Sequence, residues 1–319
     1  MTSRLDIVVF THNHEAFIER ALSSVLSQET SFDIHLRIND DASTDNTIGV
    51  IREVLSDSPI SWQLTESPEN RFIHGISFLH EFAAESRSEF IAILDGDDFW
   101  TDDHKLQRQV DLLDRFPEAA LCHHPLLEYA AGELTPIAWP PFDYRREIIP
   151  GSMLTVQNVI STSSVVLRTA MFPKKMPEGF NGLRIGDYPM WSLTTAGKNI
   201  AFVDRPMAAY RIHESNIWAS LSAEERFDRE LEARIYICNN VAEDMRTEWR
   251  LGIVDAVSGH LRLDNLAERL AVAEHERQVL ADELSSAERS YQQILASTSW
   301  RLTKPLRAIM SATKRTAKA

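Results

Sequence analysis

The sequence is poor in cysteine, has no long apolar run and carries no excess of positive charge. Its two cysteines, Cys122 and Cys238, lie far apart in apolar surroundings. This excludes a disulfide framework and predicts buried thiols in a reducing compartment. The formal net charge of −14 argues against nucleic acid as the main partner. No stretch reaches membrane-spanning length, and residues 1–6 lack a signal-peptide layout. We therefore expect a cytoplasmic protein that at most lies on a membrane surface.

The most informative segment is an acidic box, Asp95-Gly96-Asp97-Asp98, which directly follows the apolar run at 90–94. Carboxylates this close repel one another unless a cation lies between them. Hard divalent cations take carboxylate oxygens and complete their coordination with substrate phosphates. The box therefore indicates a metal at a strand end, and a solvated Asp-Gly turn is the alternative. A calcium loop is excluded, because Phe99 and Leu106 occupy its fifth and twelfth positions.

Strand and helix patterns alternate through the first 120 residues. Strands are predicted at 6–10, 32–38, 60–64 and 90–94, and helices at 17–26, 48–55 and 75–86. This alternation predicts a mostly parallel α/β sheet covered by helices, with the ligand beyond the carboxyl ends of the strands. Three polar segments follow strands and should form one site: residues 11–14, 39–45 and 95–98.

Further patterns follow the acidic box. A helix over 106–116 ends at Pro117, an aperiodic stretch over 136–150 indicates a loop or lid, and strands are expected at 163–168, 200–203 and 207–212. Asp187 lies where a helix begins, so it is a candidate N-cap.

Beyond Ser220 the pattern is almost entirely helical, and a narrow heptad seam runs through 263–294. The seam consists of Leu263, Leu266, Leu270, Ala273, Arg277, Leu280, Leu284, Ala287, Tyr291 and Ile294. It predicts coiled-coil self-association, hence a homo-oligomer, and a long helix packed back on the body is the alternative. We therefore divide the chain into a catalytic domain (1–220), a helical region (221–296, with the coiled coil at about 260–296) and a basic amphipathic tail (297–319).

Five ordered motifs within residues 5–218 resemble family 2 glycosyltransferases of the bacterial polysaccharide or O-antigen type. They are Ile7–Asn13 with Ala21–Gln28, Asp40–Thr47, Leu94–Trp100, Gly186–Tyr188 and Tyr210–His213. The resemblance implies a GT-A fold, a Rossmann-like mixed sheet flanked by helices, here followed by the helical extension. It also implies a nucleotide-sugar donor and inversion at the anomeric carbon.

The resemblance assigns roles to individual residues. Asp187 matches the catalytic base, with a helix N-cap as its alternative. Asp95, Asp97 and His213 match ligands of a divalent cation, Mn²⁺ or Mg²⁺, which would stabilise the leaving diphosphate. Asp98 could bind the metal, a donor hydroxyl or the loop backbone. The positions matching the donor pocket are Thr11, Asn13, Glu15, Asp40, Asp41, Asn70, Arg71, Asp95 and Asp98.

The chain departs from the family pattern at His12, at Ala42 and at Arg71-Phe72. Ala42 stands where glycine is usual, and its β-carbon disfavours a positive φ. These departures remove no carboxylate from the predicted site.

The tail is basic, because seven cations and no acidic residue follow Glu288. With its apolar residues it predicts peripheral contact with an anionic membrane, and a disordered tail is the alternative. The sequence as a whole predicts a metal-assisted inverting glycosyltransferase acting on a surface polysaccharide or lipid-linked glycan. The alternative is a non-catalytic nucleotide-sugar-binding scaffold assembled through the coiled coil.

Overall fold

The computed structural model describes residues 3–71, 79–137, 146–214 and 216–260, together with nine helical positions between 274 and 293. Residues 1–256 form one compact unit and residues 257–319 a second. Apart from Arg277, the heptad positions and the whole basic tail lie outside the described residues. The coiled coil and the membrane contact therefore stay predictions.

Strands and helices alternate along the first half of the chain, as predicted. The strands are β1 (Leu5–Thr11), β2 (Ile34–Asp40), β3 (Ser61–Glu66), β4 (Phe90–Asp95), β5 (Phe99–Trp100), β6 (Ala119–His123), β7 (Leu126–Ala130), β8 (Glu133–Pro136), β9 (Ile148–Pro150), β10 (Val166–Arg168), β11 (Asn199–Phe202) and β12 (Ala208–Arg211). The α-helices are α1 (Ile18–Leu26), α2 (Thr47–Val54), α3 (Leu79–Glu85), α4 (Lys105–Arg115), α5 (Asp187–Thr195), α6 (Ile217–Ser220), α7 (Ala223–Asn240) and α8 (Arg246–His260).

The described strands form two sheets. The larger has the order β3-β2-β1-β4-β10-β6-β11-β9, in which β3, β2, β1 and β4 are parallel and β10 is antiparallel to both of its neighbours. The smaller has the order β5-β12-β7-β8. Because β1 pairs with both β2 and β4, the carboxyl ends of these three strands lie side by side. The architecture confirms the predicted α/β fold with a mixed sheet.

The core lies on both faces of the larger sheet, because side chains alternate along its strands. On β4, Ile91 and Ile93 belong to the apolar cluster that includes residues of α5 and α7, while Phe90, Ala92 and Leu94 belong to the cluster that includes residues of α1 and α4. Because both faces of β4 are buried, its sequence from 90 to 94 is an uninterrupted apolar run.

Two boundaries differ from the sequence-based expectation in ways that affect the site. Strand β2 continues through Asn39 and Asp40, which were expected in a loop, because Asp40 still pairs with Glu66 of β3. Ser163 and Ser164 lie in a 3₁₀ turn before β10 and not in a strand. Part of the aperiodic stretch at 136–150 forms the short strand β9, and residues 138–145 lie outside the described ranges.

Helices α7 and α8 pack against the sheet domain. Ala233, Ile237 and Trp249 belong to the same apolar cluster as α5. Gly252 of α8 approaches the Thr155 carbonyl group so closely that an added β-carbon would overlap its oxygen. Within the described ranges, no helix is long and apolar enough to cross a membrane.

The close approach at Gly252 yields a stability prediction. We expect Gly252→Ala to lower the free energy of unfolding by about 1–3 kcal/mol, because the methyl group forces helix and turn apart. Gly259→Ala in the same helix is the control: nothing lies within 4 Å of its added β-carbon. It should be neutral or stabilise by up to about 1 kcal/mol through helix propensity. Urea denaturation of both variants tests this, and equal midpoints would contradict it.

Candidate active site

The acidic box forms the turn between β4 and β5. Asp95 is the last residue of β4, and the Asp98 N–H donates to the Asp95 carbonyl group at 3.0 Å. An added β-carbon at Gly96 would lie 2.8 Å from His14 Nδ1 and 2.9 Å from Thr11 Cβ. Only glycine fits here, since the end of β1 lies directly against the box.

Asp98 is buried and bonded within the protein. Its Oδ2 accepts from the Ser163 hydroxyl at 2.7 Å, and its Oδ1 accepts from the Arg211 N–H at 3.0 Å. Burial, with the nearby charges of Asp97 and Asp95, raises the pKa of Asp98 well above its usual value. Binding of the loop backbone was one of the three roles left open for this carboxylate; the backbone group it contacts belongs instead to Arg211 of β12. The donor contact of Asp98 stays a prediction.

Asp97 lies between two histidines. Its Oδ2 is 3.1 Å from His213 Nε2 and 3.8 Å from His14 Nε2. The predicted pair Asp97 and His213 is therefore brought together across 116 residues of sequence. His14 was not predicted in this role. The available signal was its position at the end of β1, beside β4.

These side chains fit a divalent cation by chemistry. Carboxylates and imidazoles are ligands for Mn²⁺ and similar ions. Burial and the charge of Asp97 raise the pKa of Asp95 to about 7, and a cation would relieve this repulsion. Within the described ranges, however, no three such groups already converge as a metal site. Coordination through Asp97 and His213 would replace the hydrogen bond between them with bonds to the ion.

The polar segment after β1 holds the loop that follows β2. Asn13 has a φ of 54°; its N–H donates to Ser43 Oγ at 2.8 Å and its Oδ1 accepts from the Thr44 N–H at 2.7 Å. Glu15 Oε2 accepts from the Asn46 N–H at 3.0 Å. Asn13 and Glu15, both predicted to contact the donor, thus bind the neighbouring loop.

Asp40 and Asp41, at the end of β2, form hydrogen bonds at the same edge of the sheet. Asp40 accepts from the Ser43 N–H at 2.9 Å, closing a turn in which Ala42 has a φ of 59°. Ala42 thus adopts the left-handed conformation for which glycine is usual. The Asp41 N–H donates to the Thr11 carbonyl group, so this turn lies against the end of β1.

The segment at 70–71 also joins this edge. The Arg71 N–H donates to Asp41 Oδ1 at 2.9 Å, and Asn70 Nδ2 lies 3.1 Å from His12 Nε2. The Arg71 guanidinium forms a two-bond ion pair with Glu81 of α3, at 3.0 and 2.6 Å. This partner was not predicted. It holds the side chain of Arg71, which the sequence analysis placed in the donor pocket.

Asp187 is the first residue of α5, and Gly186 occupies the N-cap position, so the N-cap alternative is wrong. Asp187 Oδ1 accepts from the Tyr188 N–H at 2.7 Å, and Oδ2 accepts from Asn158 Nδ2 at 3.3 Å. Burial raises the pKa of Asp187 to about 6. Its charge in turn raises the pKa of Asp95, so the two carboxylates interact. A carboxylate that is ionised near neutral pH and close to the acidic box can act as a general base.

Comparison with known proteins identifies relatives of the chain. The family model described as "Glycosyl transferase family 2" matches residues 6–171. A protein of Mycobacterium tuberculosis is 32% identical over 222 residues, which cover 70% of this chain and 62% of that protein. A Shigella flexneri protein named dTDP-rhamnosyl transferase RfbG is 24% identical over 228 residues, covering 69% of this chain and 76% of its own length.

Solved structures share the fold. Staphylococcus aureus TarS in complex with UDP-GlcNAc aligns with a TM-score of 0.59 at 14% identity, covering 82% of this chain and 72% of TarS. The mannosyltransferase PcManGT from Pyrobaculum calidifontis, in complex with GDP-Man and Mn²⁺, aligns with a TM-score of 0.60 at 17% identity. That alignment covers 98% of this chain and 87% of the mannosyltransferase. At these identities, the likeness shows the fold alone.

Ser163 supports the acidic box and provides a second stability prediction. We expect Ser163→Ala to lower the free energy of unfolding by about 1–3 kcal/mol, because the buried Asp98 carboxyl loses its hydroxyl partner. Ser152→Ala, at an exposed position, is the control and should change stability by less than about 0.5 kcal/mol. Thermal and urea unfolding of both variants measure the difference. Equal stabilities would show that the Ser163 contact contributes nothing.

Proposed function

Because the chain belongs to glycosyl transferase family 2, we propose that it is an inverting glycosyltransferase. It would move one sugar from a nucleotide-sugar donor to an acceptor hydroxyl in a surface polysaccharide or lipid-linked glycan. The observation that carries this proposal is the approach of Asp187, with its raised pKa, to the acidic box. The relatives' names support a donor linked to UDP, GDP or dTDP.

The mechanism follows from two carboxylate groups with different tasks. The oxygen of the acceptor hydroxyl attacks the anomeric carbon in line with the departing diphosphate. Asp187 takes the proton from that hydroxyl during the attack. One displacement of this kind inverts the anomeric configuration. A divalent cation bound by Asp95, Asp97 and His213 would supply Lewis-acid stabilisation of the diphosphate. Burial of Asp98 against Ser163 and Arg211 keeps the box in place for that task.

The remaining parts of the proposal concern the C-terminal region. Oligomerisation through the coiled coil and peripheral contact of the basic tail with the inner face of the cell membrane are proposed from sequence. A lipid-linked acceptor would make such membrane contact useful. The scaffold alternative predicts donor binding without turnover, so the turnover measurement below also decides between enzyme and scaffold.

The general-base role of Asp187 predicts a pH dependence. The group acts only when ionised, so donor turnover should fall as the pH decreases through about 6, the pKa of the buried carboxyl. Asp187→Asn should lose on the order of a hundredfold or more in rate at pH 8, since general-base catalysis contributes about 10²–10⁴-fold. Release of nucleoside diphosphate from UDP-GlcNAc, GDP-mannose and dTDP-rhamnose, measured from pH 5 to 9, tests both expectations. Undiminished turnover by Asp187→Asn would refute the assignment.

The proposed ligands predict a loss of metal binding. We expect Asp97→Asn and His213→Ala each to weaken Mn²⁺ binding about tenfold or more, because even outer-shell changes cost about 10–100-fold. His104→Ala, at an exposed histidine away from the box, is the control and should bind Mn²⁺ like the unaltered chain. Calorimetric titration with Mn²⁺ in the presence of UDP or GDP measures the affinities. If all three variants bind equally, the ligand assignment is wrong.

A further inference from the structure

One amide side chain holds the second oxygen of the proposed base. Asp187 Oδ1 is fixed by a main-chain contact, the Tyr188 N–H at 2.7 Å. Asp187 Oδ2 instead accepts from Asn158 Nδ2 at 3.3 Å, a side chain 29 residues earlier in the sequence. Together the two donors oppose rotation of the carboxylate about its Cβ–Cγ bond.

The orientation of the Asn158 amide is itself determined by a neighbour. Its Oδ1 accepts from the Ile160 N–H at 3.2 Å. A backbone N–H can only donate, so the oxygen of the amide must face it, and the NH₂ group must face Asp187. Asn158 therefore presents a donor, and not an acceptor, to the carboxylate.

The charged groups facing Asp187 make this donor important. Asp95 at the end of β4 interacts with Asp187, and the charge of Glu230 on α7 also raises the pKa of Asp187. Arg234 of α7 donates to the carbonyl groups of Thr155 and Val156 and lies over the Tyr188 ring. Burial and the charge of Glu230 thus oppose ionisation of Asp187, and Asn158 with the Tyr188 N–H favours it.

We infer that Asn158 is a positioning residue for the reaction, whose amide orients the Asp187 carboxylate and favours its ionised form. The inference rests on the proposed function, in which Asp187 is the base. Asn158 acts through Asp187 and needs no contact with the acceptor. Its loss should alter the pH dependence of the reaction as well as its rate.

The test compares variants at position 158 by their pH profiles. In Asn158→Ala, the acid limb of kcat/KM for diphosphate release should move upward by about 0.4–1 pH unit, since a neutral hydrogen bond contributes about 0.5–1.5 kcal/mol and one pH unit is 1.36 kcal/mol. This corresponds to about two- to fivefold slower turnover at pH 6. Gln157→Ala, whose side chain makes no hydrogen bond to Asp187 in the described structure, should keep the original acid limb.

A second variant keeps the test decisive if alanine prevents folding. Asn158→Asp has nearly the same shape and retains an acceptor for the Ile160 N–H, but it places a third carboxylate beside Asp187. We expect an upward shift of more than about one pH unit, because like charges disfavour ionisation. Circular dichroism and thermal unfolding establish that each variant is folded.

The outcomes separate this inference from the function on which it rests. If Asp187→Asn loses turnover while both Asn158 variants keep the original acid limb, the role of Asn158 is overturned and the base assignment stands. If Asp187→Asn keeps its turnover, the proposed function itself fails. An acid limb that moves in both Asn158 variants and not in Gln157→Ala supports the inference.

Discussion

Parallel pairing of β1 with β2 and β4 is the constraint on which the site depends. It places the carboxyl ends of the three strands at one edge, with Phe10 opposite both Asn39 and Asp95. Gly96 must then be glycine, because the end of β1 leaves no space for a β-carbon. Residues 30 positions apart can therefore share hydrogen bonds, as Asn13 does with Ser43. His213 reaches Asp97 by a second route, from beyond the end of β12, which pairs with β5.

Three carboxylates of the acidic box lie at that edge, and each has different surroundings. Asp98 is buried with hydrogen-bond donors on both oxygens, whereas Asp97 contacts histidines and Asp95 has a raised pKa. The 3₁₀ turn at Thr162–Ser164 links the box to the core below it. The Trp100 indole donates to the carbonyl group of Ser163, and Gln109 of α4 donates to that of Ser164.

The sequence-based predictions succeeded where a signal is local. Apolar runs ending in polar residues predicted β1, β2 and β4 and the meeting of their ends. They failed where a partner is distant in sequence or a turn departs from the strand pattern. The ion pair of Arg71 with Glu81, the contact of His14 with Asp97 and the hydrogen bond from Asn158 to Asp187 all depend on tertiary packing that no periodicity encodes. Ala42 shows the opposite case: a residue disfavoured at positive φ adopts it because Asp40 and Ser43 close the turn.

The helices beyond residue 220 also belong to the chemistry of the site. Arg234 of α7 holds the carbonyl groups of Thr155 and Val156, which lead directly to Asn158, and Glu230 on the same helix faces Asp187. Burial and the charge of Glu230 together raise the pKa of Asp187 to about 6. The Tyr188 N–H and the Asn158 amide oppose this shift and orient the half-buried carboxylate.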